Sequence, residues 1–362
     1  MPPDRRGERQ AALRVALEHE GLDALLVTHL PNIRYLTGFS GSAAMLLVGP
    51  DAVALITDFR YAAQAQAEAG DAARVEVDRT SVWERLGKLL GEAPPAVLGL
   101  EAHAITVRDA ERVAALSRGR VTPAGELVER LRAVKAPEEV EAVRGAAALA
   151  QAALAEVLPT VRAGCTELAV AAALEGALRR RGSEWHPFPT IVASGPRSAL
   201  PHARTSPRVI GAGEWLLLDF GAQVGGYCAD LTRTVVVGAR ADERQRTIYE
   251  LVRAAQQRAL QHLRPGMSGR EGDALAREVI AARGFGDAFG HSLGHGLGLE
   301  VHEAPRLAPT AEAPLPVHAV VTVEPGIYLP GWGGVRLEDD VYLGADGAVV
   351  LSDARTELLE LV

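Results

Sequence analysis

Two aspartates lie where a single β-hairpin would bring them together. An apolar run ends in Asp219, a Gly-rich turn follows around Val224 and Gly225, and a second run leads through Asp230 into Leu231–Val237. This pattern predicts two antiparallel strands. A two-residue turn centred between Val224 and Gly225 places Asp219 opposite Asp230, with their Cβ atoms ~4.5 to 5.5 Å apart. Like charges this close are destabilising without a cation, so the pair predicts a metal site.

The alternative interpretation of this pair is two solvent-exposed turn residues. The downstream sequence favours the metal site. Glu324 ends an apolar run, a Pro- and Gly-rich loop follows, and Glu338 lies in the next run. Pairing about Gly331 predicts that Glu324 faces Glu338. Four carboxylates from two related hairpins would then converge, and burying them together requires cations or protonation.

A segment rich in histidine and glycine, HSLGHGLGLEVHE (residues 291–303), lies between the carboxylate pairs. His291 and His295 have the spacing of a helical zinc pair, but the alternating glycines disfavour a helix. We therefore predict a tight loop or strand in which glycine lets the backbone approach the metals and His295 supplies the nitrogen ligand. A lone histidine is more commonly structural, but three of the chain's 10 histidines fall in this segment, which favours a site.

The elements that position these residues are predicted to form two domains. The chain has 362 residues, more than the ~150 typical of one domain. Residues 1–125 alternate helical and strand patterns, which predicts an α/β domain. A new helix begins near Pro137, followed at once by Glu138 and Glu139, and it opens a second domain over residues 136–362.

The second domain contains an internal repeat. RAGCT (residues 162–166) recurs as RPGMS (residues 264–268), and each segment precedes a helix that stops at a glycine, Gly182 or Gly284. The last residue of each segment is a predicted helix N-cap. We predict a duplicated helix-helix-strands unit, hence a pseudo-twofold α+β domain with the site between its halves. Coincidence is the alternative, because caps and C-terminal glycines recur in helical proteins.

Composition limits the partners of the chain. The formal net charge of -8 predicts binding to neither nucleic acid nor an anionic membrane, and favours small peptides or metabolites. Cys165 and Cys228 are too few for a disulfide framework, which fits a reducing compartment. The N-terminus lacks an apolar signal-peptide core, and no apolar run is long enough to span a bilayer. We therefore expect a cytoplasmic protein.

These motifs resemble those of the Xaa-Pro dipeptidase (prolidase) and aminopeptidase P family, metallopeptidases related to methionine aminopeptidase with a pita-bread catalytic fold. The segments FPTIVASGPRSALPH and LRAVKAPEEVEAVR are also similar to family sequences. The resemblance implies a creatinase/prolidase-like N-terminal domain over residues 1–125 and a pita-bread catalytic domain over residues 136–362. Its most specific motifs are LLLDFG with Asp219, DLTRT with Asp230, HSLGHGLGLEVHE with His295, TVEPGIY with Glu324 and GGVRLEDD with Glu338.

The resemblance implies two divalent metal ions per subunit. Asp219 would chelate one ion, His295 and Glu324 the other, and Asp230 and Glu338 both. Carboxylates with one imidazole suit Mn²⁺, Co²⁺, Fe²⁺ or Zn²⁺, and the sequence does not choose among them. The metals would activate a water molecule for attack on the peptide carbonyl, with Glu324 as general base.

The resemblance also implies that His202 and His302 contact the peptide carbonyl and the tetrahedral intermediate as catalytic residues. A buried structural role is the alternative for both. For His291, partnership with a ligand and a structural role remain equally open.

Four further residues would bind substrate. The resemblance places Phe188 and Val301 in a proline pocket, although both could be ordinary core residues. Arg306 would hold the C-terminal carboxylate of a dipeptide, for which a planar guanidinium offers bidentate geometry. Arg336 would orient the carboxylates or the substrate. Either arginine could instead be a solvated surface charge.

The motifs together with the resemblance imply a dinuclear metallopeptidase, acting as a homodimer, that removes the N-terminal residue from short peptides. Xaa-Pro bonds and dipeptides are the favoured substrates. One alternative is a broader aminopeptidase acting on longer peptides. The other is a non-catalytic pita-bread module that binds peptides or proteins, which retention of all five ligands disfavours.

Overall fold

The structure, a computed structural model, describes residues 4–352 and 356–362. Its internal contacts divide the chain into two compact units, Met1–Arg132 and Ala133–Val362. Within the described residues, every helix is too short or too polar to cross a membrane.

The first unit is an α/β unit, as the alternating patterns predict. Its helices are α1 (Arg6–His19), α2 (Leu30–Thr37), α3 (Ala62–Ala69), α4 (Val82–Glu92), α5 (Val107–Leu116) and α6 (Leu127–Arg132). Its strands are β1 (Ala24–Val27), β2 (Ala44–Val48), β3 (Val53–Asp58), β4 (Arg74–Asp78), β5 (Val97–Glu101) and β6 (Arg120–Ala124). They form one mixed sheet in the order β4-β3-β2-β1-β5-β6.

The second unit begins with a helix pair and a sheet. The helices are α7 (Pro137–Val157) and α8 (Glu167–Arg180), so the helix start predicted at Pro137 is confirmed. The strands are β7 (Ile191–Ser194), β8 (Glu214–Phe220), β9 (Gln223–Val224), β10 (Tyr227–Cys228) and β11 (Leu231–Val237). Leu174 of α8 packs with Leu218 of β8 and Val235 of β11 in one buried core.

The same order recurs in the second half of this unit. Helices α9 (Glu243–His262) and α10 (Gly269–Ala281) precede strands β12 (Gly294–Gly296), β13 (Glu303–Leu307), β14 (Val320–Val323), β15 (Gly326–Leu329), β16 (Gly333–Arg336), β17 (Asp339–Gly344), β18 (Gly347–Val350) and β19 (Leu359–Leu361). The sheet orders are β19-β11-β8-β7 and β13-β12-β14-β17-β18. A second core unites Val252 of α9, Ile280 of α10 and Val321 of β14.

The predicted duplication is confirmed by its landmarks. Thr166 caps α8 by accepting from the backbone N–H of Ala169, and Ser268 caps α10 in a capping box with Glu271. The glycines that stop these helices, Gly182 and Gly284, have φ of 102° and 80°, a left-handed conformation that suits glycine. The second unit therefore consists of two related halves.

Strand alternation turns the polar residues away from the first core. Leu218 and Phe220 of β8 belong to the core beneath α7 and α8, so Asp219 between them lies on the opposite face. On β11, Leu231 belongs to the same core, and Thr232 beside it faces the same way as Asp219. Period-two alternation thus gathers the polar side chains on one face of the sheet.

Candidate metal centre

The first hairpin has a register different from the predicted one. Asp219 pairs with Thr232, and Val224 pairs with Tyr227 across the turn. The turn residues are therefore Gly225 and Gly226, with φ of 59° and 85°. A two-residue type I′ turn requires positive φ at both positions, which adjacent glycines satisfy. The prediction that Asp219 faces Asp230 is wrong, because the turn lies one residue further along the chain.

The two aspartates nevertheless share a face of the hairpin. Asp230 lies two residues before Thr232, so alternation makes Asp230 a diagonal neighbour of Asp219. The carboxyl groups are close enough that, besides burial, the charge of Asp219 contributes to raising the pKa of Asp230. The predicted proximity therefore holds although the predicted pairing does not.

The second hairpin has the predicted register. Gly326 pairs with Arg336 in β15 and β16, and Val323 pairs with Asp339 in β14 and β17. These two pairings share one register. Extending that register to Glu324 places it opposite Glu338. The prediction for this pair is confirmed.

Thr232 connects the two hairpins. The backbone N–H of Glu338 donates to Thr232 O at 3.1 Å, and the Thr232 hydroxyl donates to Glu338 Oε2 at 2.5 Å. Arg233 adds a bond of 2.6 Å to Glu338 O and one of 2.7 Å to Asp339 Oδ1. The carboxylates of the two halves are thus fixed relative to each other.

His295 lies on strand β12, as predicted. Its Nε2 atom is 3.4 Å from Glu324 Oε1 and 3.9 Å from Asp230 Oδ2. Its Nδ1 atom lies 3.1 Å from Gly296 O, so Nδ1 carries the proton and Nε2 presents its lone pair to the carboxylates. Burial, followed by the charge of His302, lowers the pKa of His295 to about 4. The imidazole is therefore neutral near pH 7, the form that binds metals.

The glycines around His295 serve strand packing. A Cβ at Gly294 would lie 2.0 Å from Thr322 O, and one at Gly296 would lie 2.1 Å from Ala304 O. Strand packing alone accounts for these two glycines, and the approach of the backbone to metals stays a prediction. Only glycine allows the neighbouring backbone segments of the sheet to come this close.

The donor set fits a divalent metal. Asp230, His295 and Glu338 each offer one ligand atom, and these atoms lie within 4.8 Å of one another. Asp230 Oδ1 is buried and has no hydrogen-bond partner among the described residues. A metal ion bound there would provide the missing partner for this oxygen. Buried polar atoms without a partner are unfavourable.

Burial dominates the protonation of the carboxyl groups. It raises the pKa of Glu338 to about 8 and raises the pKa of Asp219 despite the opposing charge of Arg336. The pKa values of Asp230 and Glu324 lie well above their usual range, first through burial and then through the charge of Glu338. A bound cation would reverse this effect and favour the ionised ligands.

Arg336 is a buried partner of this centre, and the surface alternative is wrong. Only 3% of it is exposed, and its guanidinium pairs with Asp219 Oδ2. It also donates to Thr232 Oγ1 at 3.1 Å and to the Tyr328 hydroxyl at 2.9 Å. The same hydroxyl lies 2.8 Å from His291 Nε2. His291 is therefore linked to Asp219 through Tyr328 and Arg336.

The two histidines implied as catalytic are solvent-exposed, so the buried structural alternative is wrong for both. The ring centroids of His302 and His295 are 4.2 Å apart. Partial desolvation, and then the charge of His202, lowers the pKa of His302. His202 lies in the loop between β7 and β8. Its charge acts to lower the pKa of Asp219, against the larger effect of burial. Both histidines are thus at the solvent side of the carboxylate cluster.

The remaining predicted substrate residues fall in two places. Phe188 and Val301 pack in one apolar cluster with Cys228 and Leu297. Arg306 is exposed on β13, where its backbone pairs with His295. Cys228 is buried, and burial raises the pKa of its thiol to about 12.

Sequence reasoning missed Asp340. It is fully buried, and its carboxyl oxygens accept from the backbone N–H of Asp230 at 3.2 and 3.3 Å. Burial and the charge of Glu338 hold its pKa well above the usual range. Two positions separate it from Glu338, so period-two alternation was the available signal.

Comparison with known proteins agrees with this geometry. The family described as Metallopeptidase family M24 matches residues 141–345, and the Creatinase/Prolidase N-terminal domain matches residues 9–134. The chain belongs to metallopeptidase family M24. This membership confirms the predicted family, the predicted fold class and the prediction of a metal-dependent peptidase.

Individual M24 relatives match nearly the whole chain. An Xaa-Pro dipeptidase of Pyrococcus furiosus is 35% identical, with 97% of this chain and 99% of that protein aligned. The structure of an Xaa-Pro dipeptidase from Bacillus anthracis has a TM-score of 0.95 and 38% identity, covering 98% of this chain and all of that one. The structure of an X-Pro aminopeptidase from Thermotoga maritima has a TM-score of 0.90 and 36% identity. The match covers 97% of this chain and 99% of that one.

Proposed function

We propose that this chain removes the N-terminal residue from Xaa-Pro dipeptides. The observation that carries the proposal is the buried Oδ1 of Asp230, which has no hydrogen-bond partner among the described residues and lies beside other carboxylates. Similarity to the Xaa-Pro dipeptidases from Pyrococcus furiosus and Bacillus anthracis supports the choice of substrate. The proposed metal ligands are Asp219, Asp230, His295, Glu324 and Glu338.

Bound there, two divalent ions would supply Lewis acidity and lower the pKa of water. Glu324 would accept the proton that the attacking water loses, and Thr322, 3.3 Å from its Oε1, would orient it. His302 and His202 would donate hydrogen bonds to the substrate carbonyl from the solvent side. Arg336 would keep Asp219 in one orientation.

Three residues would select the substrate. Phe188 and Val301 lie together in an apolar cluster, which suits contact with a proline ring. Arg306 would bind the C-terminal carboxylate, which in a dipeptide belongs to the second residue. A dipeptide therefore satisfies both groups at once.

A hydrolysis panel tests the proposal. Xaa-Pro dipeptides, Xaa-Pro tripeptides and proline-free dipeptides would be compared with Mn²⁺, Co²⁺ and Zn²⁺. We expect the highest kcat/KM for Xaa-Pro dipeptides. Higher values for tripeptides would favour an aminopeptidase, and no turnover with bound metal would favour a binding module.

Four finer properties complete the proposal. We propose two ions per subunit, of Mn²⁺, Co²⁺ or Zn²⁺, which elemental analysis of the purified protein tests. We propose a homodimer, tested by light scattering, and a cytoplasmic location, supported by the free thiols of Cys165 and Cys228 and tested by cell fractionation. The domain limits 1–125 and 136–362 remain a prediction, which limited proteolysis between them tests.

A further inference from the structure

Glu167 is a buried carboxylate that lies outside the metal centre. It is the first residue of α8, and its side chain is fully buried. Burying a carboxylate costs free energy unless it is paired and hydrogen-bonded. The groups that satisfy Glu167 therefore indicate its role.

Glu167 holds both ends of one loop. Where the loop begins, Ser194 donates its backbone N–H at 2.8 Å and its hydroxyl at 2.9 Å to Oε1. Where it ends, Ser206 donates its hydroxyl at 2.6 Å and its backbone N–H at 3.2 Å to Oε2. Arg197 balances the charge from 3.2 Å. One carboxylate thus fixes both ends of residues 195–205.

The N-terminus of α8 reinforces this anchor. The backbone N–H of Leu168 donates to Ser206 O at 3.1 Å, and that of Glu167 donates to Arg208 O at 3.0 Å. The positive end of the helix dipole also favours a carboxylate at its first residue. The base of the loop is therefore held by side-chain and backbone groups of the same helix end.

This loop carries His202. The residue before it, Pro201, accepts a hydrogen bond of 3.2 Å from Arg336, and Arg336 pairs with Asp219. The loop is thus attached to Glu167 at its base and to the carboxylate cluster beside His202. His202 itself is exposed, so the attachments of the loop at its base and at Pro201 are what can fix its position.

We infer that Glu167 is a positioning residue for His202. The inference rests on the proposed function, in which His202 contacts the substrate. Glu167→Gln preserves the size of the side chain but turns one accepting oxygen into an NH₂ group that faces a donor. One end of the loop then loses its anchor, and a displacement of about 1 Å can cost about a hundredfold in rate.

The loop itself is tested by trypsin. Arg197 and Arg204 supply cleavage sites within it, and Arg204 is exposed. We expect faster cleavage at these sites in Glu167→Gln, read by mass spectrometry. Ser206→Ala removes one hydroxyl and leaves the carboxylate, so it should increase the cleavage rate less. This second variant keeps the test valid if Glu167→Gln does not fold. Glu156→Gln is the control, because Glu156 also pairs with two arginines but lies on α7.

A double-mutant cycle tests the link to His202. We expect Glu167→Gln to lower kcat/KM for an Xaa-Pro dipeptide about tenfold to a hundredfold. In a His202→Ala background the same substitution should change it by less than about twofold, because coupled residues are not additive. A merely structural role would lower kcat/KM equally in both backgrounds.

Equal losses in both backgrounds, or unchanged cleavage of the loop, would overturn the positioning role. Hydrolysis by the unaltered chain tests the proposed function separately. Its absence contradicts that function, whereas hydrolysis with additive losses contradicts the positioning role alone.

Discussion

The Thr232 hydroxyl donates a hydrogen bond of 2.5 Å to Glu338 Oε2, and through it one half of the catalytic unit orients a carboxylate of the other. Thr232 also pairs with Asp219 across β8 and β11. A residue of the first half therefore lies between two proposed ligands, one from each half. The two hairpins cannot shift independently without breaking this contact.

Thr232→Val removes the hydroxyl and should weaken metal binding. Loss of a hydrogen bond that orients a ligand costs about 10- to 100-fold in metal affinity or activity. Isothermal titration with Mn²⁺ measures the effect. Thr57→Val is the matched control, since Thr57 is equally buried and its hydroxyl donates to Ala43 O at 2.6 Å in the first unit. Equal affinity in wild type and Thr232→Val would contradict the role of this contact.

Removal of metal should lower both stability and activity. Without a cation, burial and the charge of Glu338 disfavour the ionised forms of Asp230 and Glu324 that bind metal. Metal present at about 100 times its Kd adds about 2.7 kcal/mol to the free energy of unfolding. We expect chelation to abolish hydrolysis and lower the Tm, and Mn²⁺ to restore both. Full activity in metal-free protein would contradict the metal centre.

The proposed bridging ligands predict a pattern of metal loss. Asp230→Ala and Glu338→Ala should each lose metal from both positions, because each residue is assigned to two ions. Asp219→Ala should leave the position held by His295 and Glu324 better occupied. Metal-to-protein ratios of the three variants decide the assignment, and the same ratio in all three would refute bridging.

The second hairpin could be predicted from the sequence more accurately than the first. Around Gly331 the loop is flanked by strands of clear pattern, and the predicted centre is correct. In the first hairpin, Val224, Gly225 and Gly226 allow two turn positions. Only the requirement for two positive φ angles selects the glycine pair.

Strands β4 and β6 form the edges of the first sheet, and the sequence indicates them only weakly. Edge strands have weak apolar patterns, and Pro123 interrupts β6. The contacts of Glu167 with Ser194 and Ser206, and of Asp230 with Asp340, were also beyond prediction. They join residues far apart in the sequence, and the packing of whole elements decides them.

Glu214 predicts a pH-dependent contribution to stability. Its carboxylate accepts from Arg208 at 2.6 and 2.7 Å and from the backbone N–H of Gly211 at 2.8 Å. The hydrogen bond from Arg208 is the main cause that lowers the pKa of Glu214. A lowered pKa stabilises the fold above the unfolded value near 4.5, and this contribution disappears as the pH falls through the folded value.

Glu214→Gln should therefore lower the free energy of unfolding by about 1 kcal/mol at pH 7, a modest value because the pair is partly exposed. Urea unfolding at pH 7 and at pH 3 measures the difference. We expect the gap between variant and wild type to narrow at pH 3. A gap of the same size at both pH values would show that the charge of Glu214 is not its source.

Arg306→Ala discriminates a dipeptidase from an aminopeptidase. If the guanidinium binds the C-terminal carboxylate, the variant should raise KM for Xaa-Pro dipeptides far more than for their C-terminal amides. A hydrogen bond to a charged group contributes about 1.5 to 3 kcal/mol, and exposure of Arg306 favours the lower value. That corresponds to roughly a tenfold rise in KM.

The control for this experiment is Arg270→Ala, since Arg270 is a surface arginine paired with Glu312 at 2.9 Å. It should leave KM unchanged for both substrates. If Arg306→Ala raises KM equally for free acids and amides, Arg306 does not bind the C-terminal carboxylate. The preference for dipeptides would then lack its structural basis, and the aminopeptidase alternative would account better for this site.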